Sequence, residues 1–429
     1  MLFYSRLRNS SYIKNIINLL SGTLAAQFIL VAFSPVLTRL YDPSEIGFYS
    51  SIIAITAFFT PLINARYEFL IVPAKDEHKA KEFAYLSFIL CSVLTILLTI
   101  LSLIFKINNV SFVKDLSIFY LFFIALIVYI NGLTNIFNQY NNRLKQYKAL
   151  SKVTLYRTLA QVASQLVFGL LKLGSMGLML SIFLGTIVGL KKQVSISVGK
   201  FKNLFVTNKK NLYSLFKGNI NQLRISLPAA LINTATNNLL VPIVTFNYGL
   251  VISGFYYMAT RIMAMPVQIF GSTLSKLHFE QACREYDKYG HCRKSFYKSI
   301  FMSSILMAGI SIVVYIFSEP FFEFFFGSQW INSAYIVKVL IPYYFIRAVA
   351  LSVIMTPYVF KFQFLDFINQ ILILANLLVS LVISQALNFD YLNFFKVYNW
   401  CGFIAYLLVI LICWYISLGR LKRGRGDRF

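Results

Sequence analysis

From Phe83 to Phe105 the chain runs 23 residues without a charged side chain. At about 1.5 Å rise per residue, that is enough helix to cross a hydrocarbon core ~30 Å thick. The pattern recurs along the whole chain. Windows of about 20 mostly apolar residues fall near 16–38, 46–65, 83–105, 116–137, 153–171 and 176–190, then near 226–246, 253–275, 299–317, 333–359, 367–387 and 397–417. The window at 333–359 is long enough to be tilted or kinked at Pro342 or Pro357. Composition agrees, with 58% hydrophobic and 13% charged residues, where a soluble domain carries ~25% charged. A water-soluble globular domain and a disordered chain are both excluded. The expected fold is an all-α polytopic membrane protein of about twelve spans. The first apolar run is a full span and does not read as a cleaved signal peptide.

The net charge of +25 would suggest nucleic acid on a soluble protein, but here its distribution explains it. With the N-terminus placed in the cytoplasm, the inner segments 1–15, 66–82, 138–152, 191–225, 276–298, 360–366 and 418–429 hold 31 of the 40 Lys and Arg. The outer connections hold only Arg39, Lys106, Lys114, Lys172 and Lys396. That asymmetry predicts both termini in the cytoplasm and leaves no need for nucleic acid. The tail Arg420-Leu421-Lys422-Arg423-Gly424-Arg425 reads as an anchor against anionic lipid.

No connection is large enough for a catalytic domain, and the chain has neither a GxxxxGK[ST] loop nor a dinucleotide glycine fingerprint. The longest loop, 191–225, contains no Asp, Glu or His, so a membrane glycosyltransferase or polymerase is disfavoured and no enzyme is expected. Five cysteines form no CxxC pair. His278, Cys283, His291 and Cys292 share one loop, but their spacing matches no metal motif, and neither metal nor cofactor is expected.

The two halves repeat at an offset of 207: Pro35 matches Pro242, Thr38 matches Thr245, Tyr41 matches Tyr248, and Gly47-Phe48-Tyr49 matches Gly254-Phe255-Tyr256. Six spans per half give both copies the same orientation, hence two parallel six-helix bundles, 1–210 and 211–429. Parallel repeats are an architecture of transporters that rock about a central site.

Polar side chains within spans should face protein or water. Asn131, Thr134, Asn135 and Asn138 share one helical face, as do Arg157, Gln161, Ser164 and Gln165. Gln27, Asn233, Asn237 and Gln268 add further amides. Singly, such residues bond helix to helix; together, Gln27, Asn131, Asn135, Asn138, Gln161, Gln165, Asn233, Asn237 and Gln268 are candidates for lining a hydrated cavity. Four cations lie inside spans, and no Asp or Glu clearly does. At the helical rise, Arg157 and Lys338 sit about 6 and 8 Å from an edge, within snorkelling reach. Arg261 and Arg347 lie about 12 and 21 Å in. Guanidinium geometry suits diphosphate, so Arg261, Arg347 and, more peripherally, Arg157 are candidate seats for an anionic substrate. The competing reading is structural bonding to backbone carbonyls.

The stretch SPVLTRLYDPSEIGFYS (Ser34 to Ser50), followed by Arg66-Tyr67-Glu68, resembles the polysaccharide repeat-unit flippases of the multidrug/oligosaccharidyl-lipid/polysaccharide exporter superfamily. Phe326-Gly327-Ser328-Gln329-Trp330 is similar to an outer-loop F-G-x-x-W of that family. The resemblance implies translocation of undecaprenyl-diphosphate-linked oligosaccharide across a bacterial inner membrane, for O-antigen, capsule or similar lipopolysaccharide-type surface glycans. The bilayer, the lipid-linked substrate and polysaccharide-assembly proteins are the implied partners. The alternative is a cation-coupled multidrug or small-molecule antiporter of the same superfamily, which the lack of an embedded carboxylate argues against. Uptake of free sugar is disfavoured only by the resemblance.

Overall fold

A computed structural model describes residues 11–109, 117–201, 209–360, 362 and 364–419. The basic tail from Arg420 lies outside the described residues. Among the described residues the structure is helical, without strands. The helices are α1 (Ser11–Ala32), α2 (Ser34–Leu40), α3 (Pro43–Ile63), α4 (Glu77–Ile107), α5 (Ile118–Arg143), α6 (Tyr147–Leu170), α7 (Gly174–Phe201) and α8 (Lys209–Gly218). There follow α9 (Leu227–Asn238), α10 (Leu240–Tyr289), α11 (Arg293–Phe326), α12 (Ile331–Val353), α13 (Thr356–Val359), α14 (Phe364–Ala386) and α15 (Tyr391–Ser417). The chain forms two compact units, Met1–Ser253 and Gly254–Phe429.

Ten helical stretches among the described residues are long and apolar enough to cross a membrane. Two features account for the difference from the twelve windows of the sequence. The windows at 226–246 and 253–275 fall within one helical stretch, Gln222–Tyr289. Helix α6 has the length of a span, but Arg157, Gln161, Ser164 and Gln165 dilute its apolar character. A helix of that composition is stable at membrane depth only where neighbours cover its polar face. In the first unit α6 packs against α1 and α7. Gly22 of α1 lies so close to the Ser151 backbone that a Cβ would clash.

The repeated motif marks an elbow in each half. In the first, Asp42 is extended (φ −75°, ψ 159°), Pro43 opens α3, and Glu45 accepts the Asp42 N–H at 3.0 Å. Proline suits a first helical turn and Glu at the third position closes a capping box. In the second half the equivalent of Asp42 is Gly249, with φ 86° and ψ 173°. That conformation is open to glycine and closed to residues with a Cβ. The two halves therefore bend at the same position by different local chemistry.

In the second unit α11, α12 and α15 surround an aromatic core, and α14 packs on α15. Pro342 lies inside α12, and the break in that span comes later, at Ile354–Met355, with Pro357 in the first turn of α13. A proline weakens the ladder around it, and a neighbouring helix can satisfy the freed groups. Here Asn399 Oδ1 of α15 accepts the Tyr343 N–H at 2.8 Å.

Candidate functional site

The polar face of α6 is the organising feature of the first unit. Arg157 donates through Nη2 to Asn131 Oδ1 of α5 and to Thr186 Oγ1 of α7, each at 3.3 Å. One turn further, Gln161 and Gln165 both donate to the Tyr49 hydroxyl of α3, at 2.8 and 3.0 Å. The Tyr41 hydroxyl donates to the Gln165 carbonyl at 2.7 Å. Arg157, Asn131, Gln161 and Gln165, expected from the sequence, are thus brought to one polar face, in two hydrogen-bonded groups: Arg157 reaches α5 and α7, and the two glutamines reach α3. Gln165 is fully buried, while Arg157, Asn131 and Gln161 keep partial exposure. Tyr49 and Thr186 were missed by reading polarity alone. The signal for Tyr49 was its place in the repeated Gly-Phe-Tyr.

The remaining amides separate by exposure. Gln27 and Asn135 are half-buried, and Asn138, Asn233 and Asn237 are exposed. Asn237 donates to the Asn233 carbonyl at 2.8 Å. Asn131 and Asn135 flank Gly132, which packs tightly on Cys91 and Ile63.

In the second unit Arg347 is set among tyrosines. Tyr343, Tyr344, Tyr398 and Tyr406 lie near it, and its guanidinium lies 6.0 Å from the Tyr343 ring centre. The repeat partner of Tyr49, Tyr256, is buried there, stacked 5.2 Å from Phe395 and within electrostatic reach of Arg347. Tyr49 likewise lies within electrostatic reach of Arg157. Each repeat tyrosine is therefore in the electrostatic neighbourhood of an interior arginine of its own unit. Arg261 is half-buried, 5.9 Å from the Tyr257 ring centre, and Gln268 is exposed on the same helix.

Two carboxylates modify the sequence reading. Lys338 does not simply snorkel: it donates to Glu319 of α11 at 2.6 Å. Glu319 lies within α11, two residues past the apolar window at 299–317. Glu68, placed in a polar loop from the sequence, is only 1% exposed. His278 is engaged by Ser299 and Thr356, at 3.1 and 2.9 Å. Cys292 packs in an apolar cluster with Ala282 and Phe360.

These helices have the bundle fold of membrane exporters and flippases. A lipid II flippase MurJ in an inward closed conformation superposes with TM-score 0.64 at 14% identity, covering 95% of this chain and 89% of that one. An inward-facing multidrug resistance MATE family transporter of the MOP superfamily gives 0.61 at 14% identity, with 93% of each chain covered. A mutant of the Vibrio cholerae MATE transporter VcmN gives 0.57 at 11% identity, covering 94% and 96%. No curated protein sequence matches the chain. Residues 36–335 match the family described as polysaccharide biosynthesis protein, and the chain belongs to that family.

Proposed function

We propose that the protein is a flippase that carries undecaprenyl-diphosphate-linked oligosaccharide repeat units across a bacterial inner membrane by alternating access, serving O-antigen or another surface polysaccharide. The observation that carries this reading is a spanning bundle, in a polysaccharide biosynthesis family, whose interior holds arginines and amides. Charged and amide groups at membrane depth mark a substrate path more often than a purely apolar core would.

In this reading Arg261, Arg347 and Arg157 bind the diphosphate. The tyrosine hydroxyls around Arg347 supply neutral donors suited to phosphate oxygens. The amides Asn138, Asn233, Asn237, Gln268, Gln27, Asn131, Asn135, Gln161 and Gln165 line the hydrated path that takes the sugars. The repeats 1–210 and 211–429 act as the two bundles, both termini lie in the cytoplasm, and polysaccharide-assembly proteins are the partners.

The test is deletion of the gene followed by extraction of lipid-linked intermediates. The reading requires undecaprenyl-diphosphate-linked repeat units to accumulate on the cytoplasmic leaflet and to disappear on complementation. Unchanged surface polysaccharide with heightened drug sensitivity would transfer the protein to the multidrug antiporters.

A further inference from the structure

The reversal between α3 and α4 encloses a carboxylate. Ala65 and Arg66 both adopt left-handed backbone (φ 47° and 66°), and a 3-10 turn, Tyr67–Ile71, follows. Two consecutive non-glycine residues in that region persist only where the surroundings hold them. The surroundings here are specific. Tyr67 stacks on Phe216 of α8, ring centres 5.4 Å apart, and its hydroxyl donates to the Phe216 carbonyl at 2.9 Å. Arg143 of α5 donates to the carbonyls of Ile71, Val72 and Ala74 at 3.1, 2.9 and 2.7 Å.

Inside this turn Asn64, Glu68 and Ser87 are each at most 1% exposed. Their Oδ1, Oε2 and Oγ atoms are buried without a hydrogen-bond partner among the described residues. The Asn64 amide reaches the Ser87 carbonyl at 3.5 Å, and Cys91, one turn beyond Ser87, lies within electrostatic reach of Glu68. The charged and titratable groups around Glu68 are few. Arg66 is the cation beside it in the turn, and its guanidinium lies 3.9 Å over the Phe69 ring. From α4 the groups on this side are Cys91 and Tyr85, which packs on the Ala65–Tyr67 cluster; from α5 they are Tyr140, packed with Ile71, and Arg143, engaged with the carbonyls above and with Glu77 at 3.7 Å. Helix α8 contributes the Phe216 ring.

A buried carboxylate oxygen and a buried amide oxygen, both acceptors, cannot satisfy one another. A proton removes the buried charge that no hydrogen bond to Oε2 compensates, because a carboxylic acid is neutral and can donate where a carboxylate cannot. We propose that Glu68 is a proton-binding site: it holds a proton while the turn is packed and releases it to water when the turn opens. Burial pushes the Glu68 carboxyl up from 4.5 to about 7, against the smaller opposing effects of a backbone hydrogen bond and of Arg66. With the packed-state value raised, the proton's contribution to packing is complete below 4.5 and is lost as pH rises through about 7. Near-neutral pH is thus where this turn responds, at the end of the bundle rich in Lys and Arg.

The experiment uses the purified full-length protein in nanodiscs and requires no glycan, so its failure and that of the flippase reading are distinguishable. Infrared difference spectra across a pH titration should show a protonated carboxyl band whose loss has a midpoint near neutrality and which is absent in Glu68→Gln. Amide hydrogen exchange of the 64–71 segment, corrected for intrinsic rates, should rise several-fold on crossing neutrality in the native protein and stay slow in Glu68→Gln. Phe216→Ala, which removes the ring stacked on Tyr67 and loosens the turn, should move the midpoint downward. A carboxyl band that survives in Glu68→Gln, or that titrates at the ordinary value, overturns the proposal. So does exchange at this turn that is the same at all pH values. If Glu68→Gln fails to fold, the Phe216→Ala midpoint decides: an unchanged value contradicts the site.

Discussion

The Tyr49 hydroxyl accepts hydrogen bonds from both Gln161 and Gln165, at 2.8 and 3.0 Å, so one phenol ties two successive turns of α6 to α3. Removing the oxygen alone should therefore be costly. Tyr49→Phe leaves two amide donors without their acceptor, a loss of ~1–3 kcal/mol. A lower melting temperature of the purified protein, with reduced glycan display, is the expected result; unchanged melting would mean that the phenol is not a tie.

At the Glu319–Lys338 pair the expectation is the reverse. Both side chains are partly exposed, 40% and 27%, and an exposed pair contributes little. Lys338→Ala should leave membrane abundance, melting temperature and surface polysaccharide unchanged. Loss of display in normally inserted protein would place Lys338 in the transport path.

Asn399 is a structural counterpart. Its Oδ1 accepts the Tyr343 N–H beside Pro342, and both residues are buried. Asn399→Ala should destabilise the second unit by ~1–3 kcal/mol, since it orphans a buried backbone donor. Asn399→Asp retains the acceptor and should recover part of that loss in the same melting experiment.

Arg261 and Arg347 separate substrate binding from packing. If they hold a diphosphate, Lys retains partial export as a point charge, and Gln or Ala abolishes export at normal abundance. If the tyrosine-lined seat of Arg347 serves only the fold, Arg347→Ala lowers the amount of folded protein instead. Membrane abundance measured beside glycan display distinguishes the two. Full display in both Ala variants would remove the arginines from the site.

The helical class and most spans were legible because a bilayer imposes a length and a polarity on each segment. The polar face of α6 was legible for the same reason: Arg157, Gln161 and Gln165 stand out against apolar neighbours at helical spacing. What remained hidden depended on neighbours in space. Tyr49 counts as apolar in composition, and only the fold shows its hydroxyl serving Gln161. Glu68 follows an arginine and precedes a charged stretch, which reads as a solvated loop. The closure of α4, α5 and α8 over it joins residues far apart in sequence. Glu319 and Lys338 are 19 residues apart and meet because α11 and α12 form a hairpin. The elbow at Tyr248 was visible as a repeat of Tyr41, yet its use of Gly249 in place of Asp42 emerges only from the backbone angles.

The flippase reading is tested most directly in vesicles. Purified protein is reconstituted with a fluorescent undecaprenyl-diphosphate oligosaccharide, and the glycan accessible to an added, membrane-impermeant modifying reagent is followed over time. The initially protected fraction should become accessible in vesicles containing the native protein, and far more slowly with Arg347→Gln inserted to the same level. Protection that persists at the protein-free rate, in vesicles where the native protein is folded, would contradict it.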